Sequence, residues 1–246
     1  MRKPRRFTPD ELAPYQWQMP MRRRRESDTR SPESGAEEAL DPRLPATQPI
    51  DWAALFGNAN PVEVEVGMGK GLFLLTSATA RPDTNFFGIE IVRKYQLYAT
   101  SRFAIRELPN AKTVCADAGW VFRNFVAPQS VSAVHVYFPD PWWKARHKKR
   151  RVFSPRFAVD AANILCVGGR LLIATDVEEY FGVMTGIVRA MPAFRELRAE
   201  TSTGSIEEAG YQTNFERKAR QKGTPVWRAE FERTTGSATE VPDPAT

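Results

Sequence analysis

The sequence predicts a doubly wound α/β fold built on a mainly parallel sheet. Three observations carry this. From Ile50 onward, short apolar runs suited to strands alternate with helix-length segments, the pattern of βαβ units. The first strand-like run ends in a cluster of glycines. Acidic residues recur where the strands end.

The elements follow in order. Val62-Glu63-Val64-Glu65-Val66 alternates as a strand and runs into the glycines. Residues 71–79 suit a helix, 85–91 a second strand, 93–108 a helix and 111–115 a third strand. Residues 133–138 suit a fourth strand, 155–165 a helix, 169–175 a fifth strand and 177–190 a helix. Two further strands are expected at 194–199 and 226–232. No internal repeat occurs. Residues 1–48 are basic, rich in proline and poor in apolar side chains, so they cannot offset their ordering entropy and are expected to be disordered. A folded domain is expected over 49–234, with a flexible tail over 235–246.

Composition narrows the function classes. The chain of 246 residues, 42% hydrophobic, can bury a full core. No apolar run nears the ~18 residues of a membrane span, and no secretory signal opens the chain, so a cytoplasmic location is expected. Two cysteines, Cys115 and Cys166, sit in apolar runs as buried free thiols. With only His135 and His147, no histidine-rich metal site can form, and no metal is expected. A net charge of +6 favours a polyanionic partner.

In an open α/β sheet, ligands bind beyond the carboxyl ends of the strands. There lies Glu65-Val66-Gly67-Met68-Gly69-Lys70-Gly71, in which Gly67 and Gly69 let backbone amides approach a ligand. Glu90 ends the second strand, 23 residues past Gly67 and near the ~20-residue interval at which a carboxylate grips ribose hydroxyls. Asp117 follows the third strand and could accept from an adenine amine. Two nucleoside cofactors compete for this crevice. A dinucleotide wants G-x-G-x-x-G and a pyrophosphate at the helix N-terminus. The spacing here is G-x-G-x-G, and Glu65 would repel a pyrophosphate while attracting a sulfonium or ammonium. Charge favours S-adenosylmethionine, and with it the Rossmann-like class I methyltransferase version of the fold.

The fourth strand runs into Phe138-Pro139-Asp140-Pro141-Trp142-Trp143-Lys144 at the same edge. Prolines on both sides of Asp140 restrict its backbone, and the aromatic residues offer a face for an extruded base. A proline-stiffened loop with core-packing tryptophans is the plainer alternative. Six of the next eight residues, Lys144 to Arg151, are Lys or Arg, a natural grip for phosphates beside a crevice. The run Arg22 to Arg25 suits a contact with RNA phosphates, a localisation signal or a solvated flexible tail.

These residues resemble the bacterial tRNA (guanine-N(7)-)-methyltransferases. The matching segments are Leu55-Phe56-Gly57-Asn58 with Pro61 to Gly71, Gly88-Ile89-Glu90, Phe138 to Arg151, Ala174-Thr175-Asp176, and Thr213-Asn214-Phe215-Glu216 with Gly223 to Arg233. They span roughly residues 50–233. The resemblance implies that Glu65, Glu90 and Asp117 hold the cofactor and that Asp140 is the active-site carboxylate. It implies substrate contacts at Lys144, Asp176, Thr213, Asn214, Phe215 and Glu216. It implies tRNA binding through Arg146, His147, Lys148, Lys149, Arg150 and Arg151, and the variable-loop guanosine as the target. Trp143 departs from the family pattern, and the long N-terminal segment has only a loosely similar basic start there.

Guanine offers two adjacent N–H donors on its Watson–Crick edge, so one carboxylate accepting both would select it; Glu216 and Asp176 are the candidates. Asp176 could instead cap the following helix, and Glu216 could pair with Lys218 or Arg220. Methylation of another base position, or a non-catalytic RNA-binding module, are the competing functions. Monomer and homodimer are both open.

Overall fold

The computed structural model describes residues 7–19, 48–142, 151–202 and 213–238. Seven strands, β1 (Val62–Val66), β2 (Asn85–Glu90), β3 (Ala111–Cys115), β4 (Val131–Tyr137), β5 (Leu165–Thr175), β6 (Phe194–Ser202) and β7 (Val226–Arg233), form one sheet. Their order is β3-β2-β1-β4-β5-β7-β6. All pairings from β3 through to β5 are parallel, while β7 runs antiparallel to both β5 and β6. The switch point of this doubly wound sheet therefore falls between the carboxyl ends of β1 and β4.

Strand alternation sorts the side chains. Val62, Val64 and Val66 of β1 and Val134 and Val136 of β4 enter one apolar core. That core is closed by α2 (Trp52–Phe56), α5 (Ala118–Phe125), α6 (Pro155–Ile164) and α7 (Glu178–Arg189). The opposite face carries Phe86, Tyr137 and Ala174 beneath α3 (Leu72–Ala80) and α4 (Arg93–Ile105). Glu63, Glu65 and His135 fall on this second face by the same alternation. Among the described residues, no helix is long and apolar enough to cross a membrane.

Most expected elements form within a few residues of their bounds. Helix α5 has no counterpart in the sequence reading, because eight residues span barely two turns of periodicity; Asp117 caps it. Strand β5 begins at Leu165 rather than at residue 169, because a register shift between Val131 and Ala133 absorbs Gly168 at φ 82° and lets pairing resume at Arg170.

The termini depart from expectation. Residues 7–19, placed in a disordered tail, instead form α1 (Pro9–Leu12), opened by a Thr8–Glu11 capping box, and then a short 3-10 turn. Gln16 bridges Thr113 at the outer edge of β3, and the Trp17 amide donates to the Thr113 carbonyl at 2.9 Å. The Trp17 ring meets Phe125 edge-on at 5.1 Å and Phe87 at 6.2 Å. One tryptophan supplies enough apolar surface to anchor a segment whose average composition looks unstructured. At the other end, residues 235–238 are also ordered. Ala238 is buried, and the Arg233 guanidinium holds the carbonyls of Ala162, Thr234 and Gly236.

Candidate active site

The crevice starts where β1 ends. Gly67 and Gly69 take φ of 70° and 53°, values that disfavour any residue with a Cβ. A Cβ at either would meet no protein atom within 4 Å, so the space over the loop is open to a ligand. Beneath it, a Cβ on Gly88 would come within 2.4 Å of both Met68 and Leu74, which is why β2 carries glycine there. The loop is pinned from β2. The Glu90 carboxylate accepts from the Gly69 amide through one oxygen and from the Val92 amide through the other, each at 2.8 Å.

Glu65 differs from Glu90 in being unsatisfied. Its side chain is 3% exposed, and Oε2 has no hydrogen-bond partner among the described residues. Burial, and then the charge of Glu90, push its pKa well above the ordinary carboxylate range. A buried carboxyl near the end of β1, just ahead of the glycine loop and with Oε2 lacking a hydrogen-bond partner among the described residues, suits the cationic end of S-adenosylmethionine.

Below Glu65 the same face carries a fully paired polar row. Glu63 takes two bonds from Arg81, at 2.6 and 2.9 Å, and one from His135 Nε2 at 2.9 Å. His135 Nδ1 lies 2.9 Å from the Tyr137 hydroxyl. Burial would raise the Glu63 pKa, but the bonds from His135 and Arg81 hold it at about 2. Burial depresses His135 despite its carboxylate neighbour. The ring is therefore neutral, donating through Nε2 and accepting the Tyr137 proton at Nδ1. Sequence reasoning missed this row; alternating polar residues on two adjacent strands were its signal.

The remaining candidates stand at the same sheet edge. Asp117 is exposed after β3, and one of its oxygens accepts from the Trp120 amide at 2.8 Å, leaving the other for a ligand. Asp176 is exposed after β5. It does not cap α7: Val177 holds that position, and the Thr175 hydroxyl accepts its amide at 3.2 Å. Thr213 caps α8 (Asn214–Gln221), accepting the Glu216 amide at 3.0 Å. Glu216, 2% exposed, pairs with Arg228 of β7 at 2.5 Å, a partner the sequence reading did not foresee. Tyr137, Ala174 and Arg228 lie in register across β4, β5 and β7, which brings the Glu216–Arg228 pair to the start of the Asp140 loop.

Asp140 itself is exposed on the segment after β4. Arg151, expected to grip phosphate, is half-buried, and its Nε donates to the Pro141 carbonyl at 2.7 Å. Lys144, Arg146, His147, Lys148, Lys149 and Arg150, Trp143, and the side chains of Asn214 and Phe215 lie outside the described residues. No group of three metal-ligating side chains occurs among the described residues.

Solved structures share this architecture. The 16S rRNA methyltransferase KamB superposes with a TM-score of 0.54 at 17% identity, over 71% of this chain and 88% of that one. A 30S ribosomal A1408 methyltransferase from an uncultured bacterium gives 0.51 at 15% identity, over 74% and 92%. The fold is that of the class I S-adenosylmethionine-dependent methyltransferases. The family model Methyltransf_4, described as "Putative methyltransferase", matches residues 59–229. The tRNA (guanine-N(7)-)-methyltransferase of Rhodopirellula baltica is 44% identical over 191 residues, 75% of this chain and 70% of that protein. The enzyme of the same name from Klebsiella pneumoniae is 34% identical over 81% of this chain and 86% of its own. The chain belongs to the tRNA (guanine-N(7)-)-methyltransferase family.

Proposed function

We infer that this protein transfers a methyl group from S-adenosylmethionine to N(7) of a guanine in tRNA, with the variable-loop guanosine as its target and the cytoplasm as its place of work. The donor reading is carried by Glu65, a buried carboxyl beside the glycine loop whose Oε2 has no hydrogen-bond partner among the described residues. The substrate reading is supported by the tRNA (guanine-N(7)-)-methyltransferases that are 44% and 34% identical over 75% and 81% of this chain.

When bound, S-adenosylmethionine supplies an electrophilic sulfonium methyl. Glu65 would hold the cationic amino end, Glu90 would accept from the ribose hydroxyls, and Asp117 would offer its second oxygen to the adenine amine. Guanine N(7) carries a lone pair at neutral pH, so no side chain must remove a proton before attack. Methylation would leave positive charge on the purine, so the enzyme needs alignment plus a negative group near that ring. Asp140 serves both ends. For guanine selectivity, Asp176 fits better than Glu216. Both Asp176 oxygens are without a partner among the described residues, whereas Arg228 already occupies Glu216. The test is cleavage or reverse-transcription mapping of N(7)-methylguanosine on tRNA incubated with protein and cofactor. Methylation at any other base position rules the reading out.

A further inference from the structure

The segment bearing Asp140 is pinned from outside at both ends. Phe138 and Trp142 take φ of 51° and 40°, conformations that bulky residues adopt only when neighbours enforce them. At the near end the Phe138 amide donates to the Ala174 carbonyl of β5 at 2.7 Å. At the far end the Pro141 carbonyl takes the Arg151 Nε–H at 2.7 Å. The Arg151 guanidinium carbon also sits 4.8 Å from the centroid of the Tyr180 ring on α7. Tyr180 has no exposed surface. The ring is thus a fixed platform, set in the core rather than on the surface.

We propose that Arg151 is a positioning residue for Asp140, acting through Pro141 and the Tyr180 ring, and not one of the phosphate contacts. The proposal rests on Asp140 being the active-site carboxylate. Arg151 closes the Asp140 segment against α7, fixing the backbone one residue past the carboxylate. Misplacing a reacting group by about 1 Å can cost a hundredfold in rate. The chemistry separates this role from charge alone. A phosphate accepts a lysine ammonium nearly as well as a guanidinium. A bond to one carbonyl combined with stacking on a ring requires the planar guanidinium.

The test compares Arg151→Lys and Arg151→Ala in the full-length protein. It measures kcat at saturating tRNA, the KM for tRNA, and the slope of log KM against log salt. Both variants should lose tenfold or more in kcat, lysine recovering little, with KM and salt slope close to the parent. Tyr180→Leu should lower kcat likewise, and Tyr180→Phe should restore what leucine loses. An Arg151→Lys variant at parental kcat overturns the proposal. So does an Arg151→Ala variant that keeps kcat while its salt slope flattens by about 0.7–0.9, the mark of one lost phosphate contact. Calorimetric titration with S-adenosylmethionine verifies that each variant is folded, and should alanine not fold, the lysine and leucine variants decide. Asp140→Asn is assayed alongside. Parental turnover there removes the Asp140 reading itself, whatever Arg151 does.

Discussion

A carboxyl group buried without a partner avoids isolated charge in one of two ways: it keeps a proton or it acquires a cation. Glu65 has the first option in the ligand-free protein, since burial and Glu90 raise its pKa. The folded protein then holds a proton that the unfolded chain releases above its ordinary value of 4.5. Stability of the ligand-free form therefore falls as pH rises from there through the raised folded value. Cofactor binding offers the second option and expels the proton, so affinity for S-adenosylmethionine should rise with pH across the same window. Calorimetry in buffers of different ionisation enthalpy should register proton release, and Glu65→Gln should abolish it; release that persists in the glutamine variant excludes Glu65 as the source. Glu90→Ala removes the bonds that shape the glycine loop along with the ribose contact. Bonds to charged groups contribute roughly 1.5–3 kcal/mol each, so the cofactor Kd should rise at least about tenfold. An unchanged Kd would place the ribose elsewhere. Asp140→Ala should cost about a hundred- to a thousandfold in rate while leaving cofactor affinity within a few-fold, as loss of one well-placed electrostatic group does. Near-normal turnover would refute its role. The acidic residues were legible in the sequence because strand ends mark the ligand edge of such a sheet. Their partners were not. Arg228 reaches Glu216 through β7 pairing, and Tyr180 reaches Arg151 through helix packing, neither of which follows from local pattern.

Among elements, the segment over residues 7–19 was the least legible, since it lies in a longer stretch that is basic and proline-rich as a whole, and its contacts with β3, Phe87 and Phe125 are far away in sequence. Trp17→Ala removes two edge-on ring contacts and part of the cover over Phe87 and Phe125. It should destabilise the fold by about 2 kcal/mol, less than the 3–5 of a fully buried aromatic. Denaturant unfolding measures this, and an unchanged midpoint would make the contact incidental. The stretch from Lys144 to Arg150 carries five Lys or Arg in seven residues. Replacing Lys148, Lys149 and Arg150 with alanine should raise the KM for tRNA and flatten its salt dependence by about 0.7–0.9 per lost contact. Cofactor affinity should hold, because other loops form that pocket. A parental salt slope would show the stretch to be a solvated face.

For the whole molecule, strand and helix periodicity predicted a mainly parallel doubly wound sheet, because the buried strands are apolar and the crossovers long enough for a full helix. The strand order was beyond reach: the insertion of β7 between β5 and β6 depends on contacts far apart in sequence. That insertion leaves β6 as the outer strand, solvent-exposed along most of its length. Its side chains alternate in sign and pair locally, Arg189 with Glu196 at 2.6 Å, Arg195 with Glu232 at 2.9 Å and Arg198 with Glu230 at 3.7 Å. Exposed pairs of this kind add about 0–1 kcal/mol each, too little to explain their density as stabilisation. Their consequence is colloidal. A row of unpaired amides and carbonyls is a template for another chain, and charges along it penalise stacking of a second copy. The opposite edge, at β3, is blunted by the chain's own Gln16 and Trp17. A protein with both flanks guarded in this way can be concentrated without polymerising strand to strand.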